Sequence, residues 1–294
     1  MEEIQSKWDR GGDAPLNFKD ESISNAFRTG AIAPDAGYMS LRCRWLSDLA
    51  HYVSTADLMR CLLQSASSDI ELAFALGWAS HVVGDAIIHP LINRLVGRIV
   101  CDADLEVPYA EDPSSHIRVE LGLDLSVRKG NSALIPSCRN IPQETSALLS
   151  KAINKTYRLN VAPAQVARIL SKACTRFKFM VNAYDGIEAP KKIRDLFTLA
   201  VYYVVRVGSE ITRKSLPYAV THPILPTSDA LQEFTQIRQR MTTVFFAEYA
   251  SGFSTFPNKN LDTGKAEDQP YRPTKACLDW LATASDSEAP FRAM

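Results

Sequence analysis

Apolar residues along this chain recur at intervals of three and four, while strand-like alternation is scarce. That periodicity predicts helices near residues 19–29, 40–65, 69–100, 114–129, 143–157, 163–184, 190–219 and 228–251. Several have recognisable starts: Ser68-Asp69 before the third, Asp112-Pro113-Ser114-Ser115 before the fourth, and Ala162-Pro163 before the sixth. Leu105 to Pro113 reads as a polar, proline-bounded loop. Residues 254–275 mix Gly, Pro, Asn and Asp without a period and read as a loop or extended tail, and the last residues, 285–294, as a frayed end. No internal repeat is visible. The expectation is an all-α, single-domain, multi-helix bundle: a helical domain over 1–253 and a loop-rich tail over 254–294 packed on it.

Within the third predicted helix, LGWASHVVGDAIIHPLIN (76–93) places His81, Asp85 and His89 four residues apart. That spacing puts all three on one helix face, where they interrupt a surface made apolar by Leu76, Val82, Val83, Ile87, Ile88, Leu91 and Ile92. A carboxylate buried between two imidazoles is costly unless neutralised, and a divalent cation is the usual neutraliser. The chain has five histidines, four of them between positions 51 and 116. His51 lies in SDLAHYV, and His116 and Glu120 form a second i,i+4 pair in SSHIRVELGLDL. Asp35 sits at a Pro-Asp step in GAIAPDAGY. Together these are seven side chains of the types zinc accepts.

A helix rises about 1.5 Å per residue, so His81 and His89 stand about 12 Å apart along its axis, too far to share one ion comfortably. The natural division assigns Asp35, His51, His81 and Asp85 to one ion and His89, His116 and Glu120 to another, with Asp85 midway and able to bridge. Three carboxylates against two divalent ions leave a net positive charge, which favours an anionic substrate such as a phosphate ester. His222, in Thr-His-Pro-Ile, reads as a loop or helix-end residue. Asp124 is one turn past Glu120, and nothing in spacing assigns a role to Asp262 of NLDTG.

Composition is ordinary for a globular protein, 46% hydrophobic and 22% charged, and 33 basic residues balance 33 acidic ones. The balance gives no support to nucleic acid or an anionic membrane surface as a partner. The N-terminal stretch MEEIQSKWDRGGDAPLNF has no basic region followed by an apolar run, so the chain as written is expected in the cytoplasm, or secreted if it is a processed form. The run from Leu196 to Val207 is too short to span a bilayer and reads as a core helix, so no transmembrane segment is expected. Six cysteines, at 43, 61, 101, 138, 174 and 277, are scattered without a CxxC pair and read as buried reduced thiols.

The segments GAIAPD (30–35), DLAHY (48–52), AFALGWASHVVGDAIIHP (73–90) and HIRVELGLD (116–124) resemble, in order, those of the zinc-dependent phospholipase C family. This all-helical group includes bacterial phospholipases C and the catalytic domain of glycosylphosphatidylinositol-specific phospholipase D, with S1/P1-type nucleases as distant relatives. Beyond residue 130 only NLDTG faintly echoes it. The resemblance implies Zn²⁺ at two positions: Asp35, His51, His81 and Asp85 at one, His89, His116 and Glu120 at the other. It also implies hydrolysis of a small-molecule or lipid phosphodiester by metal-activated water, with Asp35 and Asp85 as the catalytic carboxylates. The family's third zinc position uses an N-terminal Trp and a nearby His. Here no histidine precedes His51 and Trp8 is internal, so that position is expected to be missing or built differently. Tyr38, Trp45, Tyr52 and Trp78 lie near the motifs as candidate pocket walls. The alternative is a protein with the same helical metal core that tailors a small metabolite, or that binds or scaffolds without catalysis.

Overall fold

A computed structural model describes residues 4, 6–8, 14–39, 43–128, 141–188, 205 and 221–266. Its helices are α1 (Glu21–Ile32), α2 (Arg44–Tyr52), α3 (Thr55–Ser65), α4 (Asp69–Cys101), α5 (Pro113–Arg128), α6 (Gln143–Tyr157), α7 (Pro163–Glu188) and α8 (Ser228–Ala250), with a 3₁₀ turn at Pro34–Gly37. Among the described residues there is no strand, only an isolated bridge between Lys259 and Ala266. The predicted helix over 190–219 lies outside the described residues apart from Val205, as do Cys138, Cys277 and the tail beyond 266. Of the described cysteines, Cys61 and Cys174 are buried as expected, whereas Cys43 is half-buried and Cys101 exposed.

Helix α4 is the axle. Its first turn is capped by Ser68, whose Oγ accepts the Glu71 N–H. Helices α1, α3, α5, α6 and α8 all pack against it. By length and composition it is apolar enough to cross a membrane, but 72% of its most apolar stretch is buried inside the fold, which marks a core helix. Two apolar clusters share it. The larger includes Phe74, Trp78, Val82 and Ala86, and the smaller begins at Leu91 and takes in Ile92, Val96, Val119 and Phe234. His81, Asp85 and His89 occupy the seam between them.

Helix α1 approaches α4 closely enough for backbone to touch backbone. A Cβ on Gly30 would lie 2.0 Å from the Phe74 carbonyl oxygen, and one on Gly77 would lie 2.0 Å from that of Phe27. Only hydrogen fits at either point. The contact sets the Ala31 carbonyl 2.9 Å from His81 Nδ1 and leads the chain through the 3₁₀ turn that carries Asp35.

The single helix expected over 40–65 is two, α2 and α3, broken at Val53 and Ser54. Ser54 is left-handed at φ 48°, and loop residues from the far end of the chain occupy the break. Asn258 Oδ1 accepts the N–H groups of Ala56 (2.9 Å) and Asp57 (3.1 Å), capping α3 from outside. The Thr55 hydroxyl donates to the Lys259 carbonyl and accepts the Lys259 N–H, both at 3.0 Å. Periodicity runs unbroken through the junction because the apolar positions on both sides face one core. The interruption comes from this tertiary capping.

Gly77→Ala is expected to destabilise the fold by about 3 kcal/mol, the upper range for overpacking, because the added methyl meets backbone. Chemical denaturation of the metal-free protein measures this. A loss below about 1 kcal/mol would mean that α1 and α4 part without cost.

Candidate metal centre

Two of the imidazoles are aimed by their Nδ1 atoms. His51 Nδ1 is 2.7 Å from the Ser47 carbonyl one turn back on α2, and His81 Nδ1 is 2.9 Å from the Ala31 carbonyl on α1. A carbonyl only accepts, so each ring carries its proton on Nδ1 and presents a lone pair at Nε2. Those two Nε2 atoms are 3.3 Å apart, an arrangement that repels unless a proton or cation lies between them. His89 turns Nε2 toward Asp85 (3.7 Å) and Nδ1 toward Asp262 (3.8 Å).

The first group is Asp35, His51 and His81, whose donor atoms all lie within 4.8 Å of one another. Asp85 adjoins it: Oδ2 is 2.9 Å from His81 Nε2 and 3.4 Å from His51 Nε2. Asp35 Oδ1 is 3.2 Å from His51 Nε2 and 4.0 Å from His81 Nε2. A tetrahedral zinc with bonds near 2.0–2.1 Å has ligand-to-ligand edges of about 3.3–3.4 Å. The five separations measured here, 2.9 to 4.0 Å, bracket that edge. The residues fit the metal that their chemistry calls for.

His89, His116 and Glu120 form the second group, again within 4.8 Å. The rings of His89 and His116 stand edge to face, 5.0 Å between centroids. The Nδ1 atoms of both are buried without a hydrogen-bond partner, so no bond within the group fixes how either ring is protonated. His81 and His89 thus fall in separate groups, and Asp85 Oδ2, touching His51, His81 and His89, lies between them.

Burial and mutual charge shape the electrostatics. Burial would raise the Asp35 and Asp85 carboxyls, but it is outweighed. His81 and His51 hold Asp35 low, and His81, His89 and the bond to His51 hold Asp85 well below the usual carboxylate range. His116 is driven well down by burial and by His89, so its ring is neutral and able to ligate. Glu120 is pushed well up by burial, then by Asp35, Asp124 and Asp85. Without a cation, Asp35 and Asp85 are balanced by protons on His51 and His81, the same atoms a metal would take.

The remaining sequence candidates divide. His222 belongs to neither group: its Nδ1 is 3.0 Å from the Thr221 hydroxyl, and its carbonyl accepts from Arg118. Asp124 is exposed on α5. Trp45 and Trp78 are core residues, 6% and 0% exposed, whereas the rings of Tyr38 and Tyr52 lie 5.3 and 6.1 Å from His51. Tyr109, not singled out from sequence, stands 5.4 Å from His116 and 6.1 Å from Tyr38. Asp262 is the other residue that spacing did not reveal. It reaches the site by a contact 210 positions away in sequence, with Tyr52. Trp8 stacks on Phe18 at 5.2 Å amid Phe27, Phe245, Phe246 and Tyr249, committed to the core.

No curated protein and no solved structure matches the chain. The family model described as zinc dependent phospholipase C matches residues 13–177, a span that holds all six side chains of the two groups and Asp85. With more than half its length matched and an all-helical fold built around that span, the chain belongs to the zinc-dependent phospholipase C family.

Proposed function

We propose that this protein is a phosphodiesterase of phospholipase C type, working with zinc at two positions on a lipid-like or other small phosphodiester. The observation that carries the reading is the tetrad Asp35–His51–His81–Asp85, whose spacings fit a tetrahedral ion and whose imidazoles are pre-aimed by backbone carbonyls. In this reading Asp35, His51, His81 and Asp85 hold one ion, and His89, His116 and Glu120 the other. Zinc, when bound, polarises the phosphoryl oxygens and makes water a competent nucleophile near neutral pH.

The chain's own residues do the rest. Asp35 is the most open of the first group, 32% exposed against 2% for His51. Its carboxylate stands at the mouth, where it takes the proton from water as the new O–P bond forms. The ester O–P bond breaks opposite, and the proton taken up by Asp35 is passed through water to the departing oxygen, so that an alcohol and a phosphomonoester leave. Asp85, buried between the groups, fixes their relative placement. Tyr38 and Tyr109 form a wall that joins His51 to His116, with the Arg44 guanidinium 5.7 Å from the Tyr38 ring. This wall suits the organic group of an anionic ester. A non-catalytic metal protein is the second reading, favoured by the burial of Trp8 in the aromatic core, which leaves the family's third zinc position without that ligand.

The purified protein is expected to carry about two zinc ions per chain by elemental analysis and to hydrolyse bis-p-nitrophenyl phosphate or short-chain phosphatidylcholine. EDTA should abolish turnover and zinc restore it. Asp35→Asn should lower kcat on the order of 10²- to 10⁴-fold, the usual worth of a general base. Turnover that survives metal removal sinks the proposal, and metal without turnover on any ester moves the protein to the second reading.

Protons compete with zinc for these same atoms. In the metal-free protein, burial pulls His51 and His81 down but loses to Asp35 and Asp85, so both sit above their ordinary 6.5, His51 well above. Glu120 is raised too, by burial first. Groups raised on folding contribute stability below their unfolded values and lose it as pH climbs. His116, Asp35 and Asp85 shift down, and their contributions are complete above about 6.5. The metal-free Tm should therefore fall as pH rises above about 6.5, while the rise in Tm on adding zinc grows over the same interval. Scanning fluorimetry with and without zinc reads both slopes, and a metal-free Tm that climbs with pH contradicts the assignment.

A further inference from the structure

The family match ends at residue 177, yet the second metal group is walled by residues more than eighty positions further on. The loop 258–264 reaches it through a series of specific bonds. Asn258 caps α3, and Lys259 exchanges two hydrogen bonds with Thr55. The Leu261 N–H donates to the His51 carbonyl at 2.9 Å, and Asn93 Nδ2 donates to the Asp262 carbonyl at 2.6 Å. Gly264, at φ 65°, lies against Ala86, where a Cβ would come within 2.4 Å of the carbonyl oxygen. That carbonyl is the one that loses its helical donor to Pro90, so α4 offers an open place at this point.

These anchors deliver one carboxylate. Asp262 is 5% exposed, the Tyr52 hydroxyl donates to its Oδ2, and its Oδ1 faces His89 Nδ1 at 3.8 Å. His51 and His81 each have a backbone carbonyl at Nδ1; His89 has none, and its Nδ1 is buried without a hydrogen-bond partner. Among the described residues no backbone carbonyl fixes which nitrogen of that ring holds the proton.

We propose that Asp262 is the positioning residue for His89. Its carboxylate, facing Nδ1 across 3.8 Å, favours the proton on that nitrogen, which leaves Nε2 as the donor presented to the metal beside His116 and Glu120, and Tyr52 keeps the carboxylate turned that way. A carboxylate behind a ligating imidazole fixes the tautomer and strengthens the ligand. Asp262 is not itself a ligand: it lies outside the set of donor atoms that converge with His116 and Glu120, and Tyr52 occupies its other oxygen. The loop thus completes, from the far end of the chain, a site whose ligands all precede residue 121. This inference rests on the reading of His89, His116 and Glu120 as a metal group.

Zinc titration against a chromophoric chelator, with wild type, Asp262→Ala, Asp262→Asn and Tyr52→Phe, tests it. Wild type should hold two ions. Asp262→Ala should weaken one of them about 10- to 100-fold and leave the other unchanged. Asp262→Asn, whose amide oxygen still accepts the Nδ1 proton, should recover much of that loss, and Tyr52→Phe should show a smaller loss of the same ion. The cobalt-substituted protein should report the change in one of its two visible bands. Asp262→Ala binding both ions at wild-type affinity overturns the proposal. So does Asp262→Asn failing as completely as the alanine variant, since the carboxylate would then be a ligand. Should Asp262→Ala fail to fold by circular dichroism, Tyr52→Phe decides alone: unchanged affinity overturns the proposal. A wild type that binds no zinc fails the metal reading itself, a result separable from these.

Discussion

The site depends on how near α1 comes to α4. With side chains at positions 30 and 77 the two helices would stand apart by at least a methyl at each contact, and the carbonyl of Ala31 would withdraw from His81. Through that one contact a packing constraint becomes a chemical one. The backbone of α1 chooses the tautomer of a histidine on α4, and the turn after α1 delivers Asp35 to the same place. Interiors are close-packed and yield little, so the spacing between the acid and the imidazoles is set by helix geometry. Side-chain flexibility contributes little to it.

The placement of the acidic and basic groups between two apolar clusters has an electrostatic effect. Leu91 and Ile92 close one side and Val82, Val83 and Ala86 the other. In that low-dielectric seam like charges repel strongly and partners attract strongly. The cluster is accordingly tuned in opposite directions within one helical turn or two: Asp85 is held ionised by its neighbours, while Glu120 is driven toward the neutral form. Such divergence is typical of positions that handle charge for a living reaction, and it makes the metal-free state the less comfortable one.

Much of this was legible in the sequence, because the evidence for it is local. Helix period, caps such as Ser68 and Asp112, and the four-residue spacing of His81, Asp85 and His89 all follow from neighbours along the chain. The seven candidate donors were identifiable because imidazole and carboxylate are rare on an apolar helix face. What stayed hidden is non-local. The break between α2 and α3 is imposed by Asn258 and Lys259, and no period within 40–65 records it. Asp262 sits in a stretch without periodicity, and only its fold-level neighbour Tyr52 gives it meaning. Tyr109 was passed over because its loop reads as polar, although the aromatic ring turns inward against His116.

Tyr52 and Asp262 meet across 210 positions of sequence, and this separation has a consequence in time. A ribosome adds about 5–20 residues each second. The helices that carry every donor atom are therefore complete well before the segment that pins His89 has left the exit tunnel. During that interval the nascent polypeptide holds the candidate donors without the carboxylate that faces His89. On the proposed role of Asp262, maturation of the centre waits for residue 262 to be made, and a product truncated before it keeps the seven donors without the carboxylate behind His89.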